Sequence, residues 1–217
     1  MKAFLFDLNG TMIDDMQYHT KAWHEILTKD LGATLSLEEV KQEMYGKNSD
    51  VLIRVFGEGK FSEDEMHKIS LEKERRYQRT YQPHLKLIAG LYEFLEKAYE
   101  QQIPMAVCSA AIMFNIDFVL DGLDIRKYFP ITVSADNVLN SKPDPETFLK
   151  GAQKLGVEPE DCLVFEDNPK GVEAALRGGM KSVVLTTMHQ KEDFDGLSNI
   201  LTFIDDYTDP FLKTLLN

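Results

Sequence analysis

Short, largely apolar runs recur along the chain at Ala3–Leu8, Met105–Cys108, Ile131–Val133, Cys162–Phe165, Ser182–Leu185 and Leu201–Ile204, each ending in small, polar or acidic residues. A strand with one face in water alternates, so runs that are apolar on both faces suit strands buried in a mostly parallel sheet. Helical spacing fills most of the gaps between them. Leu91, Phe94, Leu95, Ala98 and Tyr99 share one stripe, as do Phe148, Leu149, Ala152 and Leu155, which Gly156 follows as a stop signal. Val172–Leu176 leads into Arg177, Gly178 and Gly179, another helix end. This alternation predicts an α/β fold with a Rossmann-like parallel-sheet core.

Residues 15–84 break the pattern, with no strong strand run. Ala22, Trp23, Ile26 and Leu27 predict one amphipathic helix. Ser36 with Glu39, and Ser62 with Glu65, fit the capping box, in which each side chain satisfies an orphan amide of the other residue. A long, highly charged helix follows the second box, and its charge run from Glu72 to Arg79 is expected to be a solvated face. The expected organisation is a core of residues 1–14 and 85–217 with an inserted α-helical cap of residues 15–84.

Composition narrows the function classes. In 217 residues, 24 Lys and Arg stand against 36 Asp and Glu, a net charge of −12. Neither nucleic acid nor an anionic membrane surface is an expected partner, since both require clustered basic residues. No signal-peptide pattern opens the sequence, and no run approaches the roughly 20 apolar residues that span a bilayer. Cys108 and Cys162 lie in apolar runs without metal-ligand spacing, so two reduced, buried thiols are expected. The expected location is cytoplasmic, and the expected state a monomer or weak homodimer.

Four polar elements sit at or beyond the C-terminal ends of predicted strands, the edge where open α/β sheets bind ligands. They are Asp7–Thr11, Ser109–Ala111, Ser141–Pro145 and Glu166–Asn168. Asp7 and Asp167 bring two carboxylates to one edge, where they repel unless a cation lies between them. Mg²⁺ fits, because it takes oxygen ligands and accepts one or two carboxylates plus a phosphate. Lys142 adds a compact positive charge, Ser109 a hydroxyl, and Gly10 close backbone approach. Together these groups suit phosphoryl transfer, which is mostly positioning and charge neutralisation, and a carboxylate can itself be the nucleophile.

These four motifs, FDLNGTMIDD, VCSAA, KPDPETF and VFEDNPKGVEAALRGGM, resemble those of the haloacid dehalogenase superfamily, in particular the β-phosphoglucomutase-like phosphatase branch with a helical cap. The resemblance implies a Mg²⁺-dependent phosphohydrolase acting on a small phosphorylated metabolite through an aspartyl phosphate. It implies Asp7 as nucleophile and Ser109, Ala110 and Lys142 as holders of the phosphoryl group. It also implies Asp7, the carbonyl of Asn9 and Asp167 as metal ligands, with Glu166 in or next to that set. The cap is expected to choose the substrate and to exclude water by moving. His19 either lines the substrate cleft or is a buried structural histidine, and Trp23 is expected in packing.

Two departures stand out. The superfamily's first motif has Asp-x-Asp, and its second aspartate protonates the leaving oxygen and later activates water. An amide does not ionise, so Asn9 removes that proton shuttle. That leaves an engineered substitution, an attenuated natural phosphatase, or a phospho-ligand binding or regulatory protein. Asn9–Gly10 is also prone to deamidation, which would restore an acid. A related branch without an acid at this position uses a cap lysine for a Schiff base, and Lys47 stands in about the right region; its other reading is a polar loop residue. Second, family mutases grip a second phosphate with an arginine where this chain has Gly46, Lys47, Asn48 and Ser49. Lysine does not replace a bidentate guanidinium, so a phosphatase is expected ahead of a phosphosugar mutase.

Overall fold

The computed structural model describes residues 2–216. The chain divides into two compact units, Asp15–Leu85 and Met1–Asp14 with Lys86–Asn217.

The larger unit is built on one sheet of β1 (Ala3–Phe6), β2 (Met105–Cys108), β3 (Ile131–Val133), β4 (Cys162–Glu166), β5 (Lys181–Leu185) and β6 (Ile200–Ile204). The strands are all parallel, in the order β3-β2-β1-β4-β5-β6. The chain winds outward from β1 to β3, then returns to the other side of β1 for β4 to β6. That reversal makes the C-terminal edge between β1 and β4 the switch point where such sheets bind ligands. β1 ends at Phe6, short of the apolar run's end at Leu8, although the Asp7 N–H still donates to the Phe165 carbonyl at 3.0 Å.

The smaller unit is helical. Helix α1 (Met16–His24) continues into a π-helical stretch, Glu25–Asp30, and α2 (Leu37–Glu43), α3 (Asn48–Phe56) and α4 (Glu63–Tyr81) follow. Trp23, Ile26, Leu27, Val40, Val51 and Leu52 form its core. Both capping boxes form: the Ser36 and Ser62 N–H groups donate to Glu39 and Glu65 at 2.7 and 2.8 Å, and the Glu39 and Glu65 N–H groups donate back to the two hydroxyls at 3.3 Å. Each serine cap contributes about 1 kcal/mol to its helix.

The charged stretch of α4 is not the solvated face that its composition predicts. Arg75 and Arg79 are exposed, but Lys73, Glu74 and Tyr77 are buried. Their polar atoms are paired: Lys73 Nζ donates to Glu74 Oε1 at 3.0 Å, Asn48 donates to the same oxygen at 2.7 Å, and Tyr77 donates to Asp15 Oδ2 at 2.5 Å. Burial of charge is tolerable only with such pairing.

The remaining helices, α5 (Leu91–Glu100), α6 (Met113–Gly122), α7 (Glu146–Leu155), α8 (Pro169–Arg177) and α9 (Leu212–Leu215), belong to the sheet unit. Strand periodicity of two sorts β1 between two cores. Ala3 and Leu5 join Ala106, Cys108, Val164 and the α7 residues Phe148 and Ala152. Phe4 and Phe6 face a cluster of rings, with Phe6 stacked on Phe165 at 4.6 Å and Phe4 on Phe94 of α5 at 5.5 Å. Cys108 and Cys162 are both free and buried. No helix among the described residues is long and apolar enough to cross a membrane.

Candidate active site

The four polar elements emerge at the C-terminal edge of the sheet. Asp7 follows β1, Ser109 follows β2, Lys142 lies on the loop after β3, and Glu166 and Asp167 stand at the end of β4. The centre is a buried ion cluster. Lys142 Nζ donates to Asp7 Oδ1 at 2.6 Å and to Glu166 Oε1 at 2.7 Å. It also lies 4.5 Å from the centre of the Phe148 ring. Glu166 Oε2 accepts the N–H groups of Asp167 and Asn168 at 2.9 and 2.8 Å. Lys142, Asp7, Glu166 and Asp167 are all at least nine-tenths buried.

Three carboxylates thus cluster around one ammonium, which donates to two of them, and the imbalance appears in the acidities of Asp7 and Asp167. Burial pushes the Asp7 carboxyl up to about 6, against the opposing pull of Lys142. Burial, then Glu166 and Asp7, hold Asp167 well above the usual carboxylate range. Burial disfavours the Lys142 ammonium, but Asp7 and Glu166 outweigh it and keep the group protonated. The cluster carries two uncompensated negative charges when fully ionised, and buried carboxylates repel one another unless a cation lies between them.

The loop after β1 brings Asp7 and Asp167 together. Gly10 adopts φ +76°, and a Cβ there would lie 2.1 Å from Asp167 Oδ2, so both its conformation and its lack of a side chain are required. Thr11 Oγ1 donates to Asp167 Oδ1 at 3.3 Å. The Gly10 N–H, the group that would attack the Asn9 amide in deamidation, is instead donated to the Ile13 carbonyl at 2.8 Å in a buried turn. That bond opposes the reaction.

Ser109 extends the β2–β3 ladder through its N–H to the Val133 carbonyl at 2.9 Å, and its Oγ accepts the Ala111 N–H at 3.2 Å. Its hydroxyl proton therefore remains for an acceptor. Among the described residues the Ala110 N–H has no hydrogen-bond partner, as an amide facing an anion would be.

The Lys142 loop has an anchor with no motif-like signal of its own function. Glu146, at the start of α7, accepts the Leu139 and Asn140 N–H groups, each at 2.9 Å, and pairs with Lys150 at 2.6 Å. The Lys150 bond, then the two amides, hold its carboxyl down to about 2. Thr11 and Glu146 lie inside the four motifs, but nothing in composition or spacing assigns them these contacts.

The two residues expected to meet substrate from the cap lie in the helical unit. His19, on α1, is buried in a polar cluster: Nδ1 is 2.6 Å from Lys73 Nζ, Nε2 is 3.3 Å from Asp15 Oδ2, and the ring stacks on Tyr77 at 3.7 Å. His19 is therefore buried and bonded within the helical unit. Lys47 stands at the entry to α3, where its N–H donates to Asp50 Oδ2 at 2.8 Å.

A family model described as haloacid dehalogenase-like hydrolase matches residues 4–185. The fructose-1-phosphate phosphatase YqaB of Escherichia coli (strain K12) is 31% identical over 184 residues, covering 83% of this chain and 94% of the relative. The β-phosphoglucomutase of Bacillus subtilis (strain 168) is 30% identical over 188 residues, covering 84% and 82%. Among solved structures, a HAD hydrolase of Entamoeba histolytica superposes with a TM-score of 0.86 at 25% identity, covering 100% of this chain and 99% of the other.

Proposed function

The chain belongs to the haloacid dehalogenase-like hydrolases, and on that premise we propose that it is a Mg²⁺-dependent phosphohydrolase of small phosphorylated metabolites, with a phosphorylated sugar as the substrate class. The observation that carries the reading is the buried meeting of Asp7, Lys142, Glu166 and Asp167 at the sheet's switch point. The similarity to a fructose-1-phosphate phosphatase supports both the reaction and the substrate class.

Asp7 Oδ2 is the attacking atom, because Oδ1 is held by Lys142 and the carboxylate cannot rotate away without breaking that bond. Lys142 spends two of its three donors on Asp7 and Glu166, which leaves the third for a phosphoryl oxygen. The Ser109 hydroxyl and the Ala110 N–H take further oxygens. The donor chemistry fits Mg²⁺: Asp7, Asp167 and the Asn9 carbonyl would hold it, with Glu166 in or next to that set. Bound there, Mg²⁺ would supply the positive charge that the three carboxylates lack and would offset the negative charge of the transferring group.

Asn9 supplies no proton to the leaving oxygen and takes none from the attacking water, so the second half of the reaction is slow. The segment from Gly46 to Ser49 has no arginine, which favours hydrolysis over mutase chemistry. A panel of phosphorylated metabolites, assayed for inorganic phosphate with Mg²⁺ and with EDTA, tests the proposal. Release should require Mg²⁺ and vanish in Asp7→Ala. Release that survives either change excludes the mechanism.

A further inference from the structure

The loop carrying Asp7 is held from outside by two hydroxyls that none of the four motifs contains. Within the loop, the Gly10 N–H donates to the Ile13 carbonyl and the Met12 N–H to the Leu8 carbonyl, both at 2.8 Å. The carbonyls of Gly10 and Thr11 find their donors outside the loop. Thr187, two residues beyond β5, donates its Oγ1 to the Gly10 carbonyl at 2.6 Å. Tyr207, three residues beyond β6, donates its hydroxyl to the Thr11 carbonyl at 3.1 Å. Gly10 and Thr11 are buried, where a carbonyl without a donor is strongly disfavoured.

We propose that Thr187 and Tyr207 are positioning residues that fix two successive peptide planes of the nucleophile loop. The proposal rests on the reading of Asp7 as nucleophile. Fixing those planes sets the direction of everything the loop presents. Gly10 lies against the Asp167 carboxylate and Thr11 donates its side chain to it, so rotation of either plane moves Asp167 relative to Asp7.

Tyr207 is itself held by packing and by a backbone hydrogen bond. Its ring packs at 5.8 Å from Phe94 and from Phe165, and its N–H donates to the Ala89 carbonyl at 2.9 Å. A Cβ on neighbouring Gly90 would lie 2.6 Å from the Tyr207 carbonyl carbon. The Ile88 N–H donates to the Met12 carbonyl at 2.9 Å. Three segments far apart in sequence, Thr11–Met12, Ile88–Gly90 and Tyr207, therefore close a ring of hydrogen bonds beneath the loop. Burial holds the phenol protonated and so a permanent donor.

Thr187→Val, Thr187→Ser and Tyr207→Phe test this with p-nitrophenyl phosphate and Mg²⁺ as the turnover probe, alongside melting temperature and amide hydrogen exchange of the Leu8–Ile13 segment. Misplacing reacting groups by about 1 Å costs up to roughly 10²-fold, so Thr187→Val and Tyr207→Phe should lower kcat by about 10-fold to 10²-fold, with little change in KM. Thr187→Ser, which keeps the hydroxyl, should restore kcat. Exchange in Leu8–Ile13 should quicken in Thr187→Val and Tyr207→Phe and in no other core segment. Unchanged kcat in both hydroxyl-free variants, or a Thr187→Ser as slow as Thr187→Val, overturns the proposal. If the parent protein hydrolyses nothing, the phosphatase reading fails by itself, and exchange in Leu8–Ile13 decides the positioning claim: unchanged exchange overturns it, quickened exchange sustains it.

Discussion

Lys142→Met is the sharpest perturbation of the ion cluster. The substitution keeps most of the side-chain volume and removes a charge that lies 2.6 Å from Asp7 and 2.7 Å from Glu166 in a site where Lys142 is only 9% exposed. Three carboxylates then share a buried site with no protein cation. Breaking a buried pair by deleting one partner costs about 3–5 kcal/mol. For a chain of this length that is a fall in melting temperature of roughly 6–20 °C, at about 2–4 °C per kcal/mol. The loss must depend on pH. Asp7 already titrates near 6, raised by burial against the pull of Lys142, and without Lys142 it moves further up. A carboxyl with a raised native pKa binds its proton more tightly when folded, so its stabilising effect is complete below the unfolded value of 3.8 and is lost as pH rises through the native one. The gap between variant and parent should therefore be small near about pH 4.5 and largest above about pH 7. Thermal unfolding in EDTA across that range measures it. A gap below about 2 °C at the alkaline end, or one that widens on acidification, would refute the electrostatic account.

Other consequences are as direct. Asn9→Asp restores an ionisable group at the position of the missing shuttle and should raise turnover by about 10²-fold or more; an unchanged rate across the metabolite panel removes the shuttle from the explanation. Gly10→Ala meets a φ of +76° and a Cβ 2.1 Å from Asp167 Oδ2, so Mg²⁺ should no longer raise the melting temperature, and a Mg²⁺ titration matching the parent's would contradict the loop geometry. Burial raises the Cys108 and Cys162 thiols to about 12 and about 11, so neither should react with a thiol reagent at neutral pH until the protein is denatured; rapid native labelling would place a thiol outside the core.

Much of this architecture is legible in the order of residues because the signals are local. A strand apolar on both faces, as at Ala3–Phe6, has only one economical location, inside a parallel sheet. Polar residues placed just after such strands then fall on one edge whatever the loops do. The α4 charges depart from the expected solvated face for a physical reason: Lys73 and Glu74 look solvated by composition, and the partners that make their burial tolerable, His19 and Asn48, lie on other helices. Thr187 and Tyr207 leave no local trace either. Their acceptors are 177 and 196 positions away, and nothing in a threonine after a strand or a tyrosine in an acidic tail announces which carbonyl it will meet. Glu146 sits inside a recognisable motif, yet its hold on the Lys142 loop emerges only once Leu139 and Asn140 turn their amides towards it.

In the proposed mechanism Asp7 itself takes the phosphoryl group. Because Asn9 cannot activate water, the aspartyl phosphate should outlive its formation and accumulate. Protein mixed with excess substrate and Mg²⁺, quenched in acid, reduced with borohydride and digested should yield a peptide in which Asp7 has become homoserine. Turnover without that product at Asp7, or the same product in Asp7→Asn, would contradict the account.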